Sequence, residues 1–134
     1  MPFVFSKRSL NNLKGVHPLL VDLAHEALKR VPYDFIVTEG LRTKERQRQL
    51  KAAGKSQTMN SYHLPQEDGY GHAIDIAIIP PEGGVTWDNK YYEEEAKVFL
   101  QIAKEKGIKI TWGGSWKTLY DTPHYQLEPR NIPM

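Results

Sequence analysis

The sequence predicts an α+β fold, a small and largely antiparallel sheet with helices on one side. Two observations carry the prediction. Apolar stripes at helical spacing mark two long segments, and short β-branched or aromatic runs lie between and after them. The order that results is helix, strand, helix, strand, helix, strand, strand. A chain of 134 residues suits one domain, taken as 1–134, and can bury a single core without disulfide or metal staples.

Residues 17–31 read as a helix, with Pro18 in the first turn and Leu20, Ala24, Ala27 and Val31 on one face. Pro32 stops it. Residues 34–38 read as a strand that Gly40 breaks. A helix over 43–53 follows, with Thr43 as N-cap and Gly54 at its end. Residues 55–72 are polar and rich in turn formers, a long loop of the kind that carries function. Residues 73–79 form a strand ended by Pro80-Pro81. The longest helix covers 89–106, with a stripe of Tyr92, Ala96, Phe99 and Ala103, and Gly107 ends it. Residues 108–112 and 124–127 supply the last strands.

Composition narrows the chemistry. Hydrophobic residues make up 40% and charged residues 25%, as in a globular protein, and no apolar run approaches the ~20 residues of a membrane span. The absence of cysteine excludes disulfides, thiolate metal sites and a cysteine nucleophile. Any metal must be held by histidine and carboxylate. The net charge is +2 and scattered along the chain, so nucleic acid is not an expected partner, nor is stable membrane association. Met1-Pro-Phe-Val-Phe-Ser-Lys-Arg lacks the layout of a signal peptide, which predicts synthesis in the cytoplasm and release by other means. A monomer is expected.

Of the five histidines, His17 and His25 belong to the first predicted helix and read as surface or capping residues. The others lie beside strands. In 73–79, Ile74, Ile76 and Ile78 share one face, and Ala73, Asp75 and Ala77 the other. An aspartate inside so apolar a strand is costly to bury unpaired, and small alanines leave room around it. That predicts a carboxylate aimed at a cleft or a metal, with pairing to a structural arginine as the alternative. On the last strand His124 and Gln126 share a face opposite Tyr125 and Leu127, and Asp121 stands three residues before His124. A carboxylate beside a metal-ligating histidine can act as proton acceptor, and three His or carboxylate ligands with an open position make a catalytic rather than a structural zinc site.

Ser61-Tyr-His63 followed by Gly71-His-Ala73-Ile-Asp75 resembles the Ser-x-His…Gly-x-Ala-x-Asp signature of the D-Ala-D-Ala/L-Ala-D-Glu zinc metallopeptidases. Asp121-Thr-Pro-His124 is similar to their acid-x-x-His motif. Val37-Thr-Glu-Gly-Leu-Arg42-Thr-Lys-Glu-Arg-Gln47 resembles the segment with their substrate-binding arginine, and Trp112-Gly-Gly-Ser-Trp116-Lys their Trp-Gly-Gly-Asp-Trp-Lys stretch. The resemblance runs from about residue 17 to 128 and implies the fold of the hedgehog and D-Ala-D-Ala peptidase group.

It also implies that His63, Asp75 and His124 bind zinc. Asp121 would be the general base and then the acid. Arg42 would hold a substrate carboxylate or the oxyanion, Ser61 would support Arg42 or the metal shell, and Gln47 and Trp112 would bind substrate. Two departures stand out. Seven residues separate His63 from Gly71 where the family has two, and Ser115 replaces the family's aspartate. His72 is nearer to Asp75 in sequence, but its parity with Ile74 turns it away on a continued strand. Glu67 and Asp68, in the insertion, read as a solvated loop tip.

The implied reaction is zinc-assisted amide hydrolysis of bacterial peptidoglycan. The single-domain, unsignalled format looks like that of a phage endolysin, an L-alanyl-D-glutamate endopeptidase. A D-Ala-D-Ala dipeptidase or D,D-carboxypeptidase is the alternative enzyme. A zinc-bearing binding module without catalysis, as in hedgehog-type domains, is the alternative outside catalysis, and Asp121 argues against it.

Overall fold

A computed structural model describes residues 3–54, 62–66, 68–116 and 120–128. In chain order they form α1 (Lys7–Leu13), α2 (Pro18–Arg30), β1 (Asp34–Glu39), α3 (Lys44–Ala52), β2 (Ala73–Ile79), α4 (Asn89–Lys106), β3 (Ile110–Trp112), a 3₁₀ turn (Gly113–Ser115) and β4 (His124–Leu127). The strands make one sheet in the order β1-β2-β4-β3, antiparallel at every pairing. The α+β class read from the sequence holds.

The helices form where their local chemistry provides for them. The Nδ1 of His17 accepts the Leu19 amide at the start of α2, so this histidine is a cap, and Thr43 Oγ1 accepts the Arg46 amide at the start of α3. Gly107 closes α4 at φ +70°, and Ile108 donates its amide to Ala103 O. That bond holds Ile108 to the helix, so β3 starts at Ile110 rather than at 108.

The core lies on one face of the sheet. Leu20, Ala24, Ala27 and Val31 of the α2 stripe and Tyr92, Ala96, Phe99 and Ala103 of α4 pack against Phe35, Val37, Ile74, Ile76, Ile78, Tyr125 and Leu127. The Phe99 and Tyr125 rings stack at 4.1 Å, an aromatic pairing that adds to the area buried.

The helix α1 is an addition to the sequence reading. Ser6 caps it by accepting the Ser9 amide, but its apolar stripe is nearly empty, since Leu10 is exposed and only Leu13 joins the core. It docks through polar side chains instead. Ser9 Oγ accepts the Val37 amide at 3.0 Å and Asn12 Nδ2 donates to Val37 O at 2.8 Å. Both backbone groups belong to an edge strand, whose unpaired groups would otherwise invite another chain.

Candidate active site

Asp75, the inward residue of the Ala73/Asp75/Ala77 face, stands at the centre of the site. Its register partners are Glu39 on β1 and His124 on β4. Its carboxylate lies between two imidazoles: Oδ1 is 2.9 Å from His124 Nδ1 and Oδ2 is 3.3 Å from His63 Nε2. The ligand atoms of His63, Asp75 and His124 all fall within 4.8 Å of one another. These three residues could hold a metal ion, and they are the three that the sequence motifs point to.

Electrostatics agree with that geometry. Burial pushes the Asp75 carboxyl up, but hydrogen bonds from His124 and His63 outweigh it and hold the group well below the usual carboxylate range. Burial pulls the His124 imidazole down, and its hydrogen bond to Asp75 reverses this and raises it. A half-buried anion here faces two buried imidazoles, and replacing mobile protons by one cation satisfies all three groups together.

The backbone presents His63 in one tautomer. Its Nδ1 lies 2.8 Å from Gly40 O, and a carbonyl only accepts, so Nδ1 carries a proton and Nε2, facing Asp75, is the nitrogen left to hold an ion. Gly40 can take this position only as glycine. A Cβ there would come within 2.0 Å of Asn12 O in α1. The helix that the sequence reading overlooked therefore fixes the residue that orients a candidate ligand.

Asp121 lies in the turn before β4. Burial and the charge of Asp75 push its carboxyl up, and His124 and His63 pull against that shift. It is thus a carboxylate held beside the imidazoles but outside the group that could hold a metal. Its backbone is fixed by bonds from Asp121 N to Gly113 O and from His124 N to Asp121 O, both at 3.2 Å. A Cβ on Gly113 would meet Asp121 O at 2.1 Å, so the first glycine of the Trp-Gly-Gly stretch permits the close approach.

Arg42 is held more tightly than its sequence position suggests. Nε and Nη2 make a two-pronged bond to Glu39 at 2.6 Å each, and Nη1 donates to Gln47 Oε1 at 2.6 Å. Among the described residues, these bonds use three of the five guanidinium N–H groups and leave one on each Nη. Glu39 comes into register with Asp75 across an irregularity between Val37 and Glu39. Sequence reasoning missed Glu39, although a carboxylate three residues before Arg42 was a visible signal.

The other expected site residues are distributed differently. Gln47 is buried against Arg42. Trp112 donates Nε1 to Thr122 O at 2.8 Å and packs on the core, which ties β3 to the turn carrying Asp121. It is Trp116 whose ring lies over His124, with centroids 5.2 Å apart. Ser115 donates to Trp112 O within its own turn. Ser61 and Glu67 lie outside the described residues. His72 points away from Asp75 and is bonded through Nε2 to Asp68 Oδ2 at 2.8 Å. Asp68 is exposed, as expected of a loop tip, yet it also accepts the Tyr70 amide and lies 3.7 Å from His17 Nε2, which ties this part of the loop to the start of α2.

Two imidazoles and a carboxylate converging on one point, with a second carboxylate alongside, form the donor set of a metallopeptidase centre. Comparison with known proteins gives the family. The model of the phage L-alanyl-D-glutamate peptidase family matches residues 1–128, and the chain belongs to that family. It is 35% identical over 125 residues to the L-alanyl-D-glutamate peptidase of Escherichia phage T5, covering 90% of this chain and 87% of that one. It is 30% identical over 131 residues to the peptidoglycan L-alanyl-D-glutamate endopeptidase CwlK of Bacillus subtilis, covering 85% and 74%. The crystal structure of the Serratia marcescens L-Ala D-Glu endopeptidase ChiX superposes with a TM-score of 0.84 at 43% identity, over 98% of this chain and 95% of that one. Among the described residues, no helix is long and apolar enough to cross a membrane.

Proposed function

We propose that the chain is a zinc-dependent endopeptidase that hydrolyses the L-Ala–D-Glu amide of peptidoglycan stem peptides. The observation that carries this reading is the convergence of His63, Asp75 and His124 on one point in a member of the L-alanyl-D-glutamate peptidase family. Zinc suits a set of two imidazoles and one carboxylate in a chain without cysteine. When bound it supplies Lewis-acid activation of a water and of the scissile carbonyl.

The chain's own residues divide the remaining work. Asp121, with its carboxyl raised by burial and by Asp75, accepts the proton of the attacking water and returns it to the departing D-Glu amine. Arg42 offers the remaining N–H of each Nη to a substrate carboxylate or to the oxyanion, and Glu39 and Gln47 hold the fork in place. Asp75 supplies the negative charge that offsets a divalent cation. Trp116 covers one side of His124 and limits water there.

The cut would free the stem peptide from the glycan, as a lysis enzyme requires. The phage T5 and Bacillus relatives are named for the same bond, which favours it over D-Ala–D-Ala. The test is mass spectrometry of intact peptidoglycan digested by the purified protein beside a D-Ala-D-Ala-terminated peptide. New amino termini on D-Glu are expected. Release of D-Ala or of the D-Ala-D-Ala dipeptide, with stems still on muramic acid, would replace this reading with the dipeptidase or carboxypeptidase one.

A further inference from the structure

A histidine binds a metal through one ring nitrogen, and the other nitrogen then carries a proton that needs an acceptor. For His124 the two sides are distinct. Nδ1 faces Asp75 Oδ1 at 2.9 Å, on the side of His63, and Nε2 faces Gln126 Oε1 at 2.9 Å. A glutamine amide can turn either its oxygen or its NH₂ toward a neighbour, so Gln126 by itself would leave the His124 tautomer open.

Glu128 closes that choice. Gln126 Nε2 donates to Glu128 Oε1 at 3.2 Å, and a carboxylate only accepts. The NH₂ of Gln126 is therefore committed to Glu128 and its oxygen is committed to His124. That oxygen accepts only, so Nε2 of His124 holds a proton, and Nδ1, which faces the Asp75 carboxylate, is the ring nitrogen left to an ion once one replaces the proton shared there. Glu128 is anchored in turn, since Thr111 Oγ1 donates to its Oε1 at 2.6 Å. Thr111 on β3 is the register partner of Gln126 on β4, so the sheet itself aligns the relay.

We propose that Gln126 is a positioning residue for the metal centre. Backed by Glu128, it fixes His124 with Nε2 protonated and presents Nδ1 to the ion, as Gly40 O does from the other side by fixing Nδ1–H of His63. The inference rests on the metal reading above and extends it beyond the three ligands. It also explains why a polar pair, Gln126 and Glu128, runs out along the last strand on the face opposite Tyr125 and Leu127.

The test is zinc affinity, measured by competition with a chromophoric chelator, with the thermal midpoint of the metal-free protein recorded for each variant. Gln126→Met keeps the length of the side chain and removes the acceptor. Its zinc dissociation constant should rise about 10–100-fold, the usual cost of losing such a partner, while the metal-free midpoint stays at the wild-type value. The double variant Gln126→Glu with Glu128→Gln reverses donor and acceptor in the outer bond but still offers His124 an oxygen. It should return to wild-type affinity. In the zinc-loaded wild type, proton NMR should show a protected His124 Nε2–H that disappears in Gln126→Met. A Gln126→Met protein that binds zinc as tightly as wild type overturns the inference and leaves the metal reading standing. So does a double variant no better than Gln126→Met. A wild-type chain that takes up no zinc removes both.

Discussion

On one face of β2, Ile74, Ile76 and Ile78 are sealed under α2 and α4. On the other, two alanines flank Asp75, which meets two imidazoles and lies near a second carboxylate. The first face contributes stability, since full burial of an isoleucine is worth about 1.5–3 kcal/mol. The second concentrates charge in a buried place and costs stability unless a partner neutralises it. One strand does both because its side chains alternate. The two kinds of contribution should therefore be separable by mutation, and variants that fail to separate them would break the comparison.

The largest effect is expected on the polar face. His63→Ala should abolish metal uptake and with it activity, whereas His72→Ala, three residues from Asp75 but bonded to Asp68, should keep its metal. Metal analysis of the two purified proteins decides between them, and zinc loss in His72→Ala alone would exchange their roles. Next comes Asp121→Ala. It should retain fold and metal yet lose about 10²–10⁴-fold in turnover, the range for a general acid–base group. Steady-state kinetics on peptidoglycan fragments would check this, and near-normal turnover would take Asp121 out of the mechanism.

Most of this face is legible in the sequence, because parity and motif spacing act locally. Asp75 between alanines, His124 opposite Tyr125, and the turned-away His72 all follow from period two. What sequence could not show is docking by polar atoms across long separations. Helix α1 lacks an apolar stripe and is bound to β1 through Ser9 and Asn12. The Asp68–His72 bond ties down an insertion whose composition reads as solvated loop. The pairing of Arg42 with Glu39 and the placing of Trp116 rather than Trp112 over His124 likewise depend on where turns fold back.

The apolar face gives the next effect. Ile76→Ala should cost about 2–5 kcal/mol, the range for deleting a buried isoleucine to alanine. Denaturant unfolding would measure it. Metal affinity and turnover per folded molecule should stay at wild type, because the side chain points away from Asp75. A fall in metal affinity as large as the fall in stability would show that the two faces are coupled through the strand.

The smallest effect tests whether the apolar side is as free of charge as it looks. Glu95 on α4 is fully buried, and its Oε1 accepts the Tyr33 amide at 3.0 Å. Its Oε2 has no partner among the described residues. Burial, with Asp34 and Glu94 adding to it, raises its carboxyl from 4.5 to about 8. The folded chain therefore keeps a proton there that the unfolded chain gives up at lower pH. Between those two values the native state binds more protons, so this group lowers stability as pH rises and levels off above the folded value. Each pH step of one between them costs about 1.4 kcal/mol, which puts the loss at pH 7 at roughly 3 kcal/mol. A glutamine in its place would keep the acceptor for Tyr33 and carry no such proton requirement. Glu95→Gln should thus stabilise the protein by about 1–3 kcal/mol at neutral pH, and the gain should vanish near the unfolded carboxyl value. Urea unfolding of both proteins near pH 5 and near pH 8 measures the difference. A gain of equal size at both pH values would mean that Glu95 is ionised in the fold, and that the isoleucine side of the sheet also harbours a buried charge.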